Sequence, residues 1–141
     1  MSHKLELSRK FNATPQRVYA AWTKPEHMLQ WFAPGPMTTP VAEVDLRVGG
    51  QYRVVMERDT GEQFDVRGVY HEVTEGARLV FTWQWVRENS KAMLISLGFE
   101  PDGEGTRLTL LHEAFPSEES CQEHAHGWEG CLGSLGQYLS R

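Results

Sequence analysis

Hydrophobic and polar positions alternate along most of this chain, and the alternation is broken only where helices are predicted. Leu5, Leu7 and Phe11 are separated by even numbers of residues, with Glu6, Ser8 and Lys10 between them, which predicts a strand over residues 3–11. The period then changes. Thr14-Pro15 places an N-cap residue before a proline at the first helical position, where the missing N–H costs nothing. Val18, Tyr19, Ala21 and Trp22 predict a short helix from there. Thr23-Lys24-Pro25 repeats the start signal, and Glu26 to Trp31 predicts a second short helix. Ala33-Pro34-Gly35-Pro36 ends it, because this proline- and glycine-rich run cannot continue a helix.

From Val41 the pattern is all strand. Val41–Leu46 is the first, followed by a tight turn at Val48-Gly49-Gly50. Tyr52, Val54 and Met56 alternate with polar neighbours, and Asp59-Thr60-Gly61 is a hairpin loop. Phe64, Val66, Gly68 and Tyr70 form the next inward row, closed by Thr74-Glu75-Gly76. Leu79, Phe81, Trp83 and Trp85 share one side of the following strand, and Arg87–Lys91 is a polar loop. Met93, Ile95, Leu97 and Phe99 follow, then a turn at 101–105, then Leu108, Leu110 and His112. Short turns between consecutive strands make them antiparallel neighbours.

The last predicted element, residues 120–139, is the only long helical pattern. At 100° per residue, Cys121, His124, Trp128, Cys131, Leu132, Leu135, Tyr138 and Leu139 fall on one face. The C-terminal half of that face is ordinary core. The N-terminal half, Cys121, His124 and Trp128, is more polar and is where a ligand would be sought. Gly127, Gly130, Gly133 and Gly136 reduce the bulk of this helix, each at up to ~1 kcal/mol relative to alanine. The element order is β-α-α-β6-α, an α+β chain in which a sheet with one buried face needs a cover. Only the terminal helix is long enough to be it, and six strands with one helix enclose more volume than this helix can fill.

Composition narrows the functions. A chain of 141 residues is expected to form a single domain, residues 1–141. The net charge of −5, with no basic cluster, argues against nucleic acid as a partner. The charged start argues against export, and no apolar stretch approaches the ~20 residues of a membrane span. Cys121 and Cys131 lie ~15 Å apart on one helix, beyond disulfide reach, and two free thiols fit a cytoplasmic location.

Four separated blocks resemble a known family. They are Phe11 to Trp31 (Phe-Asn-Ala-Thr-Pro-Gln-Arg-Val-Tyr at its start), Asp45-Leu-Arg-Val-Gly-Gly-Gln-Tyr-Arg53, Arg78-Leu-Val-Phe-Thr-Trp83, and Gly127-Trp128 with Leu132, Leu135, Tyr138 and Leu139. In that order they are similar to the activator of Hsp90 ATPase homologue-like proteins of the START/polyketide-cyclase (SRPBCC, Bet v 1-like) superfamily. The resemblance implies the helix-grip fold, a curved antiparallel sheet of about seven strands wrapped around a long C-terminal helix with a cavity between. It also carries a homodimer as an expectation. The superfamily it points to includes lipid carriers, hormone receptors and aromatase/cyclases. The eukaryotic co-chaperones that name the family carry an extra N-terminal domain, for which this chain has no room.

The function expected from these residues is binding of a small hydrophobic or aromatic molecule, with walls from Trp31, Tyr52, Met56, Tyr70, Trp83, Trp85, Phe99, His112, His124 and Trp128. No catalytic residue stands out, since no nucleophile sits beside a recognisable base. Two alternatives stay open: a cyclase/aromatase- or hydrolase-like enzyme using polar groups such as His124 and His112, and an Hsp90 co-chaperone-like or regulatory interaction module. No metal or cofactor is expected. His124 and His126 point ~200° apart on a helix and cannot share an ion. Arg53, Asp65, Arg67 and His71 are mid-strand polar residues that read either as a charge set on the solvated face or as a polar cluster in the cavity with an arginine gripping a ligand carboxylate; the parity of Asp65 and the two arginines, opposite to the aromatic rows, favours the solvated face. Gly49-Gly50-Gln51 is a turn, not a catalytic loop.

Overall fold

The computed structural model describes residues 3–87 and 90–140. Seven strands form one antiparallel sheet: β1 (His3–Phe11), β2 (Thr38–Val44), β3 (Gln51–Glu57), β4 (Gln63–Thr74), β5 (Arg78–Trp85), β6 (Met93–Asp102) and β7 (Gly105–Phe115). Their spatial order is β1-β7-β6-β5-β4-β3-β2, a meander whose last strand returns to pair with the first. Helices α1 (Pro15–Thr23) and α2 (Pro25–Trp31) bridge β1 and β2, and α3 (Glu118–Leu139) closes the chain. This is the expected helix-grip arrangement, a curved sheet gripping one long helix.

The elements start and stop for local reasons. The Thr14 hydroxyl accepts a hydrogen bond from the Arg17 amide at the start of α1, with Pro15 behind it. Lys24, not Thr23, caps α2, and it does so without a side-chain bond. Thr23 is buried in the last turn of α1 and donates its hydroxyl to the Tyr19 carbonyl instead. Ser117 caps α3, accepting from the Ser120 amide. The hairpin turns at Gly61, Gly76 and Gly103 use positive φ, as tight turns demand. The β2 strand ends at Val44, two residues before the predicted limit, where Asp45 and Arg47 begin the loop that folds back on Gly50. The polar loop predicted over 87–91 includes Glu88 and Asn89, which lie outside the described residues.

The inward rows of β5, β6 and β7 pack as a continuous apolar surface: Leu79, Phe81 and Trp83, then Ile95, Leu97 and Phe99, then Leu108 and Leu110, all buried. Cys121, Trp128, Cys131, Leu132, Leu135 and Leu139 of α3 are buried with them, and both thiols are free. The charge set predicted for the other face is there. Arg53 on β3 reaches Asp65 on β4 with Nη2–Oδ2 at 2.9 Å and a second bond from Nε, and Arg67 flanks them at 3.8 Å. His71 is exposed, beside a register shift in β4.

One backbone irregularity shapes the site. The pairing of β1 with β7 shifts between His3 and Leu5, so that His3 faces Phe115 while Leu5 faces His112. Ala114 takes φ 68° there. His112 and Phe115 are three residues apart and would point to opposite faces of a regular strand. The bulge turns both inward, and their rings stack with centroids 4.2 Å apart.

Candidate functional site

The core is not filled evenly. At the end nearest α1 and α2, side chains from those helices plug the space between α3 and the sheet. Tyr19 meets Phe99 edge-on at 5.4 Å, Trp22 meets Trp31 at 4.8 Å and Phe32 at 5.6 Å. Beside this plug, whose Trp22 and Phe32 rings abut Trp128 and Trp83, an open cleft of about 240 Å³ remains under the N-terminal half of α3.

The cleft is built from four directions. Trp83 on β5 and Trp128 on α3 form its base, both buried, with ring centroids 5.1 Å apart. Met56 from β3 and Phe64 from β4 line the sheet side, and Trp85 stands edge-on to Trp83 at 5.5 Å. The helix contributes His124, Gly127 and Cys131, while Pro34 and Met37 come from the connection between α2 and β2. Arg58, Arg87 and Glu123 are its charged members.

Gly127 matters because of what is missing. A Cβ built there meets no heavy atom within 4 Å. Its neighbour Gly130 is the opposite case: a Cβ would come within 2.8 Å of the Pro34 Cβ, so this glycine lets the α2–β2 connection approach the helix. Nothing in the structure explains Gly133.

A hydrogen-bonded set of two histidines and two tryptophans fixes the wall. The Trp85 indole N–H donates to His124 Nε2 at 3.0 Å. His124 Nδ1 therefore carries the ring proton and donates it to the Ser120 carbonyl at 2.8 Å. Burial lowers the His124 pKa, Ser120 and Glu123 oppose that shift, and Arg87 reinforces it. The Trp128 indole N–H donates to His112 Nδ1 at 3.0 Å, which places the His112 proton on Nε2. That Nε2 has no hydrogen-bond partner among the described residues. Burial, with a smaller contribution from His124, pushes the His112 pKa down to about 3. Both rings are neutral at pH 7, and their centroids lie 5.1 Å apart. Cys131 is inert as a nucleophile, since burial pushes its thiol up to about 12. No cluster of three or more His, Cys, Asp or Glu side chains suited to a metal occurs among the described residues.

Of the ten residues predicted as walls, Met56, Trp83, Trp85, His124 and Trp128 come together at the cleft. The other five do not line it. Trp31 is buried beneath Trp22 and spends its N–H on the Ala21 carbonyl. Tyr52 crosses Gly68 and donates its hydroxyl to the Thr82 carbonyl. Tyr70 packs on Tyr52 and Phe81, and Phe99 is covered by Tyr19. His112 lies behind Trp128, fully buried. All five are indoors, but Trp31 belongs to the α1–α2 plug itself, Tyr19 of α1 covers Phe99, and Tyr52 and Tyr70 are held in a cluster with Phe81.

Sequence reasoning missed Pro34, Met37, Arg58, Phe64 and Arg87 as lining groups, along with Glu123, Gly127 and Cys131. Phe64 was available, as it shares the inward parity of Val66 and Tyr70. Arg58 and Arg87 sit beyond the ends of β3 and β5, where the strand period no longer says which way a side chain points.

Residues 12–140 match the family described as Activator of Hsp90 ATPase homolog 1-like protein. Among solved structures, protein CV1439 from Chromobacterium violaceum is 26% identical with a TM-score of 0.90, over 98% of this chain and 97% of that one. The AHSA1 protein from Silicibacter pomeroyi is 26% identical with a TM-score of 0.88, over 98% of both chains. Protein NE0264 from Nitrosomonas europaea is 26% identical with a TM-score of 0.83, over 97% of this chain and 94% of that one. A search of curated proteins returned no match.

Proposed function

The chain belongs to the Activator of Hsp90 ATPase homolog 1-like family, and from that premise we propose that it binds a small apolar molecule in the cleft between α3 and the sheet. The observation that carries this reading is the uneven filling of the interior. Four elements converge on about 240 Å³ of open space walled by Met56, Phe64, Trp83, Trp85 and Trp128, while the neighbouring space is occupied by the rings of Tyr19, Trp22, Trp31 and Phe32. Apolar walls with a few polar groups at one side are the usual make of a small-molecule site. The space falls below the roughly 300–1,000 Å³ typical of drug-sized ligands, which favours a molecule of one or two rings over a long-chain lipid.

His124 faces the same cleft, yet both its ring nitrogens are already bonded, to Trp85 and to Ser120. The wall therefore supports holding a ligand better than moving a proton. Tryptophan emission gives the test directly, because three of the five tryptophans line the cleft. Titration with a panel of mono- and bicyclic aromatic compounds should quench or shift the emission saturably for at least one class. A panel spanning neutral, acidic and basic members with no saturable change would defeat the proposal.

A further inference from the structure

One arginine at the cleft is left without an ion-pair partner among the described residues, and its chemistry points to a ligand class. Arg58 is committed: its guanidinium is 3.0 Å from the Glu62 carboxylate and lies over the Phe64 ring at 5.0 Å. Arg87 is exposed at the cleft and has no ion-pair partner among the described residues. Glu123 is the one acid of the lining among the described residues, on the exposed side of α3. With Arg58 closed on Glu62, Arg87 is the guanidinium left without an ion-pair partner among the described residues. Of the uncharged donors, the Trp85 and Trp128 indole N–H groups bond to His124 and His112, while the buried Trp83 indole N–H at the cleft base has no hydrogen-bond partner among the described residues and can donate to an acceptor on the ligand.

On the reading that the cleft holds a small apolar ligand, we infer that the ligand is an aromatic carboxylate, its ring against Trp85 and Trp128 and its anionic group at Arg87. A guanidinium offers a planar fork of donors that matches a carboxylate. A cationic ligand is disfavoured although tryptophan faces attract cations, because Arg58 already occupies the Phe64 face and the unpaired Arg87 repels a second positive charge. A long-chain acid is disfavoured by the volume.

The test uses three compounds sharing one ring system: 2-naphthylacetate, its primary amide and 2-naphthylethylamine. Calorimetric titration of the full chain at low salt should rank the carboxylate about five- to tenfold tighter than the amide, with the amine weakest. The carboxylate's advantage should shrink as salt is raised, because Arg87 is exposed. In R87Q the carboxylate-to-amide ratio should fall to within about twofold, and R87K should restore only part of it. Equal affinity of acid and amide, or tighter binding of the amine, overturns the inference and leaves the cleft reading standing. A ratio unchanged in R87Q overturns the assignment to Arg87. If none of the three binds, the inference is overturned, and a binder among other uncharged aromatics then separates its failure from that of the cleft reading.

Discussion

Replacing Gly127 by leucine separates the cleft from the fold that surrounds it. Glycine in the middle of a helix costs about 0.8–1.0 kcal/mol relative to alanine, and leucine is nearly as good a helix former as alanine. Position 127 lies near the centre of α3, and a Cβ there meets no heavy atom within 4 Å. The propensity gain of roughly 0.7 kcal/mol is therefore not offset by a clash. The added carbons enter a space lined by Trp85, Trp128 and Met56, where partial burial contributes about another 0.5–1 kcal/mol. The variant should be about 1–2 kcal/mol more stable than the parent, a rise in Tm of about 3–6 °C for a chain of 141 residues. The same side chain occupies the volume a ligand needs, so affinity for any compound that binds the parent should fall at least tenfold. Thermal unfolding followed by circular dichroism and ligand titration on the same sample give both numbers. Loss of stability would mean that the space beside Gly127 is not open. Gained stability with undiminished binding would mean that the ligand sits elsewhere.

Other outcomes follow from the same contacts. His112 binds its proton with a pKa of about 3 when folded, against an ordinary value near 6.5. Between these values the unfolded chain holds a proton that the folded chain lacks, so stability falls as pH is lowered through this window. The loss from His112 is about 2 kcal/mol at pH 5 and about 4 kcal/mol at pH 3, and the lowered His124 pKa adds in the same direction. Urea midpoints from pH 7.5 to 4.5 should show this slope, and His112→Phe, which cannot titrate, should flatten it; an unchanged slope would contradict the burial argument. Gly68→Ala puts a Cβ 1.9 Å from the Thr82 carbonyl oxygen and 2.5 Å from the Tyr52 ring. It should cost about 2–4 kcal/mol in urea denaturation, and a cost under about 1 kcal/mol would refute that packing.

The legibility of this chain in its sequence divides along physical lines. Strand alternation is a two-residue signal, and in β3 to β7 it survives because each strand has one dry face. Tyr52, Val54 and Met56, or Ile95, Leu97 and Phe99, are buried as the alternation requires. The helical wheel likewise identifies Trp128, Leu132 and Leu135 as inward. Parity says only that a residue is indoors. It cannot say whether the neighbouring volume is filled, because that depends on where Tyr19, Trp22 and Trp31 are carried by two short helices distant in sequence. Tyr70 and Phe99 therefore have the same sequence signature as Trp83, although Tyr19 covers Phe99 and Trp83 lines an open cleft. The bulge at Ala114 was invisible for a similar reason, since alanine carries no signal for positive φ. Arg58 and Arg87 meet at the cleft only because the β3–β4 and β5–β6 ends converge in space.

The indole N–H resonances of the five tryptophans offer the most direct measurement of the central claim. Each tryptophan gives one assignable signal in a nitrogen-15 correlation spectrum, and the structure divides them by place. Trp83, Trp85 and Trp128 line the cleft, whereas Trp31 is bonded to the Ala21 carbonyl outside it. Titration with an aromatic ligand should move Trp85 and Trp128 most, shift Trp83 with them and leave Trp31 nearly still. Movement of Trp31 as large as that of Trp85 and Trp128, or saturable binding with none of the cleft signals perturbed, would contradict the account.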